Sequence, residues 1–207
     1  MGFRRFFGLG KKTEKISDGL IKELGFEDKV VRIIKQVAPA GLQPLNISNL
    51  ENDLVETVGI SFSISEEKSE EVVLKLQSQF HQTGYLVFIN ERNFNFNSEC
   101  RIGIIKGSDQ FDILKVVQTN GENYDISNQE VISRLMQWNN RYPFTIVGAD
   151  YDWVEAIFIE EIQNNEIESF AHEMYEFCPD IVDQGTESID GLIEELKNTN
   201  KLFLWWD

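Results

Sequence analysis

The chain has 207 residues, of which 42% are hydrophobic and 12% aromatic, and its formal net charge is −16. This apolar content is sufficient for a packed core and excludes an intrinsically disordered chain. The charge is uneven: residues 1–36 hold nine Lys/Arg against five acids, whereas the remainder holds ten against thirty. Because so acidic a body repels phosphate backbones and anionic membranes, we expect no nucleic-acid binding by residues 37–207.

The cysteines and the N-terminus bear on the cellular compartment. Cys100 and Cys178 do not indicate a disulfide framework, and no apolar run approaches the ~18 residues of a membrane span. The basic, aromatic stretch Phe3–Lys12 lacks the apolar core of a secretory signal. It suits a segment without fixed structure, an anionic membrane surface or an acidic neighbouring subunit. We predict a cytoplasmic protein without a transmembrane segment.

Residues 1–44 are predicted to form a basic helical arm that ends in a linker. Apolar residues recur at helical spacing in two runs, Ile16–Leu24 and Val30–Val37, which are separated near Gly25. The segment Ala38–Pro44 then contains two prolines and a glycine, which is typical of a linker. The charge balance changes sign across this segment.

Residues 45–108 are predicted to form a β-α-β-β segment. Apolar and small residues alternate over 58–64, and Ser65 is placed to cap a helix that ends near Gly84. The apolar runs Tyr85–Ile89 and Cys100–Ile105 then predict two strands.

Residues 109–207 are predicted to have the order α-β-β-α-α-β. Ser127 and Glu130 have the spacing of a capping box, and residues 167–178 show the clearest amphipathic pattern. The irregular alternation of strands and helices argues against a doubly wound parallel sheet. We therefore predict an α+β fold, a largely antiparallel sheet with helices packed on one face, preceded by the helical arm. Residues 45–108 and 109–207 are either two units or one continuous body.

The pair Asp150 and Asp152 follows an apolar strand and matches the nucleophile motif of haloacid-dehalogenase-type phosphatases. The context argues against that enzyme class, because only 55 residues follow Asp152 and their only lysines are Lys197 and Lys201. The pair also does not indicate a metal site for nucleotide sugars, because no Gly-rich turn precedes it. We therefore favour a hairpin whose aspartates bond their own backbone.

Asp180 and Asp183 flank two apolar residues. With Asp125, Asp150 or Asp152 they are candidate oxygen ligands for a hard cation, although the spacing does not fit an EF-hand. A turn with helix caps is the favoured interpretation. Cys178 and His172 lie roughly 120° apart around a helix, so they are not expected to form a nucleophile–base pair. Cys178 is predicted to be a core residue.

The stretch Leu204–Asp207 places two tryptophans in a strand, so their rings face opposite sides of it. One ring is predicted to enter the core, and the other is a candidate contact. Polar residues in links between elements are where function concentrates. We therefore predict one binding cleft lined by Asn123, Asp125, Asp150, Asp152, Trp153, Asp180, Asp183, Gln184 and Trp205.

The C-terminal half resembles domain-of-unknown-function family 4253. The resemblance covers about residues 109–207 and rests on ordered pieces: Asn123–Asp125, Trp138, Val147–Glu155, Phe177–Gly185 and Leu204–Asp207. It implies a bacterial source and a cytoplasmic location. Because this family has no established activity, the resemblance assigns no catalytic residue.

The functional expectation is a non-catalytic protein-binding module. Its concrete form is an acidic, immunity-type protein that neutralises a basic partner, with carboxylates in place of that partner's anionic substrate. The alternative is a metal-dependent hydrolase that uses clustered aspartates. No cofactor is expected, and a divalent cation is not favoured.

Overall fold

The computed structural model describes residues 15–48, 55–92 and 99–207. The basic aromatic stretch 3–12 and most of the link between the strands at 85–89 and 100–105 lie outside these residues. The elements in chain order are α1 (Asp18–Glu23), α2 (Asp28–Val37), β1 (Gln43–Ser48), β2 (Val55–Ser65), α3 (Glu66–Phe80), β3 (Tyr85–Glu91), β4 (Glu99–Lys106), α4 (Phe111–Val117), a 3₁₀ turn (Glu122–Tyr124), α5 (Asn128–Arg141), β5 (Phe144–Ala149), β6 (Trp153–Phe158), α6 (Ile167–Phe177), a π-helical turn (Ile181–Thr186), α7 (Ile189–Thr199) and β7 (Lys201–Trp205).

All seven strands of the described chain form one sheet in the order β1-β2-β4-β3-β5-β6-β7. Every neighbouring pair is antiparallel except β3 and β5, which are parallel. The predicted α+β class and the largely antiparallel sheet are therefore confirmed. Strand β4 inserts between β2 and β3, so it completes the sheet of the first half of the chain before the second half begins.

Helices cover both faces of the sheet, which corrects the prediction that they lie on one face. Helices α1–α3 share a hydrophobic cluster with Ile60 and Phe62 on one side, and α4–α7 share another with Phe88 and Ile146 on the other. We call these the front and back faces, respectively. The uninterrupted apolar run in β3 is the sequence signal for this arrangement, because strands buried on both faces lose their alternation.

The parallel seam between β3 and β5 is completed by two glutamine side chains. Its one backbone register pair is Ile89 with Gly148. Gln77 Nε2 donates to Val87 O and to Ile146 O, at 2.8 Å each. Gln110 accepts from Ile146 N at 2.8 Å and donates to Phe144 O at 3.1 Å. The two side-chain amides therefore satisfy backbone groups that a fully paired strand would otherwise engage.

The first described residues pack into the body. Ile34 of α2 is fully buried in the front cluster. The end of the predicted linker also pairs with the sheet, because Gln43 begins β1, an edge strand in which Pro44 is tolerated. The division of the chain at residues 44 and 108 stays a prediction.

The predicted capping box of the second half is confirmed. Ser127 and Glu130 form the capping box of α5, and Ser188 accepts from Gly191 N at the start of α7. Ser65 precedes α3 as predicted, but its side chain makes no capping bond. The π-helical turn after α6 was not predicted, because the Cys-Pro-Asp segment indicated only a helix end.

Candidate binding site

The link between β5 and β6 is the predicted hairpin. Asp150 N donates to Trp153 O at 3.0 Å, and Asp150 Oδ1 accepts from Tyr151 N at 2.9 Å. Burial raises the pKa of Asp150 to about 7, and the neighbouring carboxylates of Asp152 and Glu91 add to this increase. Asp152 is exposed, but partial desolvation by its surroundings raises its pKa, and the carboxylate of Asp207 adds to this increase. Both carboxyl groups bond backbone within the turn, as the hairpin interpretation predicts.

Asp180 is a buried carboxylate held by three donors. Its oxygens accept from Tyr124 Oη at 2.6 Å, from Gln184 Nε2 at 2.8 Å and from the Asp207 backbone N–H at 3.0 Å. Burial alone raises the pKa of Asp180, but these three bonds outweigh it, so the pKa lies below its ordinary value. The hydrogen bond to Asp180 raises the pKa of Tyr124 to about 12. The Asp180 carboxylate is thus a structural tie between the 3₁₀ turn, the π-helical turn and the end of the chain.

The last strand, β7, is paired with the sheet and buried in the core. Five residues of β7 pair with β6, and Leu202 and Leu204 are fully buried in the cluster that contains Phe170 and Met174. Cys178 Sγ donates to Trp205 O at 3.0 Å. This packing confirms the predicted strand at Leu204–Asp207 and the predicted core cysteine at position 178.

The two terminal tryptophans divide between the faces. Trp206 is 3% exposed and packs edge-on against Phe177, with ring centroids 5.9 Å apart. Its backbone N–H donates to Asp152 O at 2.9 Å. Trp205 remains half-buried. The prediction that one ring enters the core is confirmed.

The other predicted cleft residues are placed differently. Asn123 and Asp125 are exposed around the 3₁₀ turn, and exposed Asp183 accepts from Tyr175 Oη at 3.1 Å. Trp153 is 7% exposed and lies on the front face, where its ring neighbours that of Phe203. The structure thus brings Asp152, Asp180 and Gln184 to the end of β7, whereas Trp153 packs on the front face. The assignment of the nine residues to one binding cleft stays a prediction.

The acidic residues are concentrated in one part of the chain. Between Arg141 and Lys197 there are fifteen Asp/Glu and no Lys or Arg. Helices α6 and α7 contact each other over the back cluster and point their polar sides outward. We define the acidic face by the exposed acids on and between these helices: Glu168, Glu176, Asp183, Glu187, Asp190, Glu194 and Glu195.

A chain of charges on the front face was not predicted. Glu155 of β6 is 3% exposed, and its oxygens lie 2.9 Å from Arg92 Nη2 and 3.0 Å from Lys201 Nζ. Arg92 also pairs with Glu66 at 3.1 Å, and Lys201 pairs with Glu70. These pairs link α3 to β3, β6 and β7. Sequence reasoning missed them because the partners are distant in the chain.

Both free cysteines of the described residues are buried. Burial raises the pKa of Cys100 to about 11 and that of Cys178 to about 12, so both thiols are protonated at neutral pH. Within residues 15–48, 55–92 and 99–207, no three His, Cys, Asp or Glu side chains are grouped so that they could hold a metal ion. The helices in these ranges are also too short or too polar to cross a bilayer.

Comparison with known proteins gives one family match. A model of the domain of unknown function DUF4253 matches residues 101–207, from β4 to the end of the sequence. No curated protein and no solved structure matches the chain significantly. The pieces that carried the resemblance meet in the structure, where Tyr124, Asp152, Phe177 and Asp180 surround the last strand and Trp206. The chain therefore belongs to the family defined by the domain of unknown function DUF4253.

Proposed function

We propose that this protein is a non-catalytic binding module of the bacterial cytoplasm and that its acidic face binds a basic protein. The observation that carries the proposal is the run of fifteen acids without a single Lys or Arg between Arg141 and Lys197. Seven of these acids are exposed on and between two adjacent helices. Such a surface attracts a basic partner over a long range and repels anionic competitors.

The chemistry of the partner follows from this surface. A protein that binds nucleic acid or another polyanion presents Lys and Arg at its own site. Carboxylates on α6 and α7 can occupy those cations in place of the polyanion, which is the mode of action of an immunity-type neutraliser. The free thiols at Cys100 and Cys178 fit the proposed reducing compartment.

The polar residues of the β5–β6 turn and of the turn after α6 support binding more than catalysis. Asp180 accepts hydrogen bonds from three protein donors, and Asp150 and Asp152 bond backbone within their turn. Carboxylates engaged in this way leave little capacity for a reacting group. The acidic face, by contrast, consists of side chains that point into solvent.

The test is capture of basic proteins from bacterial extract by the full chain. Binding should be strong at about 0.01 M salt and weak at about 0.1 M, because the Debye length falls from roughly 30 Å to roughly 10 Å. The test variant carries Glu168→Gln, Glu194→Gln and Glu195→Gln on the acidic face. The matched variant removes three exposed charges elsewhere, by Glu56→Gln, Glu67→Gln and Glu71→Gln.

We expect the acidic-face variant to lose the captured basic protein and the matched variant to retain it. Equal loss in both variants would show that capture depends on the net charge of the chain and not on the acidic face. If no basic protein is recovered by the unmodified chain at low salt, the proposal is wrong.

A further inference from the structure

A groove lies beside the acidic face, between α5 and the end of α6. It is open to solvent and has a volume of about 490 Å³. One wall is the outer side of α5, with Ser133 and Gln137, and the other includes Tyr124 and Glu176. Glu176 belongs both to this groove and to the acidic face. The groove is therefore continuous with the surface proposed to bind a partner.

Aromatic surface lines this groove. Arg134 already covers one face of the Phe177 ring, with its guanidinium carbon 5.2 Å from the ring centroid, so the ring that remains for a ligand is that of Tyr124. Tyr124 is 39% exposed, and the bond from its hydroxyl to Asp180 fixes the orientation of its ring. Tyr124 lines the groove, whereas Asp180, the partner of its hydroxyl, does not. Aromatic rings attract cations through their negative faces.

The charges around the groove decide the sign of its ligand. Glu130 and Glu176 contribute two carboxylates, and Arg134 offsets one of them. The surrounding stretch from residue 142 to residue 196 adds acids and no Lys or Arg. An anion is therefore repelled from this region, whereas a cation gains both the carboxylate field and the aromatic surface.

We propose that this groove receives an arginine or lysine side chain from a protruding loop of the basic partner. The proposal rests on the proposed function and specifies its anchor point. The aliphatic stem of the inserted side chain packs on Tyr124, and its charged end reaches Glu176. A single anchored side chain of this kind is typical of protein interfaces in which a few residues supply most of the affinity.

The probe is the peptide acetyl-Gly-Arg-Gly-Arg-Gly-amide, compared with versions that carry Gln or Glu in place of both arginines. Binding to the full chain is measured by NMR titration of backbone amides at about 0.1 M salt. We expect the arginine peptide to bind and to shift the amides of Ser133 and Glu176. The glutamine and glutamate peptides should leave these amides unchanged.

Two pairs of variants locate the peptide. Glu176→Gln should weaken binding about threefold or more, and Glu168→Gln should not, because it lies about 12 Å further along α6, beyond the Debye length of about 10 Å. Ser133→Lys places a cation inside the groove and should weaken binding about tenfold. Asn140→Lys adds the same charge on an exposed position of α5 outside the groove and is the matched control.

A third pair isolates the ring of Tyr124. Tyr124→Phe and Tyr124→Leu both remove the bond to Asp180, but only the leucine variant removes the aromatic face. Binding should be weaker in Tyr124→Leu than in Tyr124→Phe. Equal affinities would overturn the role of the ring while leaving the carboxylate test standing by itself.

The outcomes separate this inference from the proposed function. Binding of the glutamate peptide, or arginine-peptide binding that ignores Glu176→Gln and Ser133→Lys, overturns the groove. Groove-dependent peptide binding without capture of any basic protein supports the groove and refutes the protein-binding proposal. If capture of a basic protein depends on the acidic face but not on the groove variants, the proposed function is supported and the groove proposal is refuted.

Discussion

Replacement of Asp150 by Asn is expected to stabilise the protein increasingly as pH rises from 4 to 7 and to have little effect below pH 4. Asp150 lies in the β5–β6 turn, where burial is the main cause that raises its pKa from 3.8 to about 7. The groups that influence it are Asp152, Glu91 and Arg101. Because the folded pKa exceeds the unfolded value, the folded state keeps a proton that the unfolded chain loses. The contribution to stability is therefore complete below pH 3.8 and is lost as pH rises through 7.

The size of the effect follows from the pKa shift. Each pKa unit corresponds to about 1.4 kcal/mol, so a shift of roughly three units sets an upper limit of about 4 kcal/mol. Asn retains the Oδ1 that accepts from Tyr151 N, and it has no charge to bury. Allowing for water that reaches this partly exposed turn, we expect a stabilisation of about 1–3 kcal/mol at pH 8. For a chain of this size that is a rise in Tm of roughly 2–10 °C.

The assay is thermal unfolding of both proteins from pH 4 to pH 8. The Tm difference between variant and parent should be near zero at pH 4, should grow up to about pH 7, and should then level off. Asp109→Asn is the matched control, since exposed Asp109 also accepts a backbone N–H, from Phe111 at 2.9 Å. A Tm difference that is constant with pH, or a parent that is more stable than the variant at pH 8, would refute the reasoning.

Three further predictions concern the sheet. Gln110→Leu leaves Ile146 N and Phe144 O without their partner. It should lower the free energy of unfolding, measured with urea, by about 2–4 kcal/mol. An unchanged urea midpoint would show that water replaces the amide. Removal of residues 202–207 takes away the strand paired with β6 and should abolish cooperative unfolding, so an unaltered Tm would contradict the packing described for β7. The family-matched region 101–207 should not fold by itself, because both sheet neighbours of β4 precede it; a cooperative melt of this fragment would disprove that dependence.

Local structure was predictable where neighbouring residues in the chain decide it. The capping box of Ser127 and Glu130, the buried stripe of α6 and the hairpin at Asp150–Asp152 involve groups only a few residues apart. The burial of one terminal tryptophan followed from strand alternation. In each case the residue types and their spacing are themselves the physical cause of the structure.

The binding surface could be predicted only in part. The sequence showed the acidity and the polar residues in the links between elements. It placed Asp180 in a binding cleft but gave no sign that its carboxylate accepts hydrogen bonds from Tyr124, Gln184 and Asp207. It also missed Arg134, because a single arginine in an amphipathic helix gives no sign that it stacks on Phe177. The sequence shows that Lys and Arg are absent between Arg141 and Lys197. Whether the acids of this stretch form one surface depends on which helices lie side by side.

The sequence by itself determined the α+β class, the strong acidity and local features such as the capping box of Ser127 and Glu130. Only the tertiary structure decided that β4 inserts between β2 and β3, that Gln77 and Gln110 complete the seam between β3 and β5, and that helices cover both faces. An apolar strand pattern specifies that a strand is buried but not which strand lies beside it. That choice depends on many contacts between distant residues formed at once, such as those that bring Glu155 to Arg92 and Lys201.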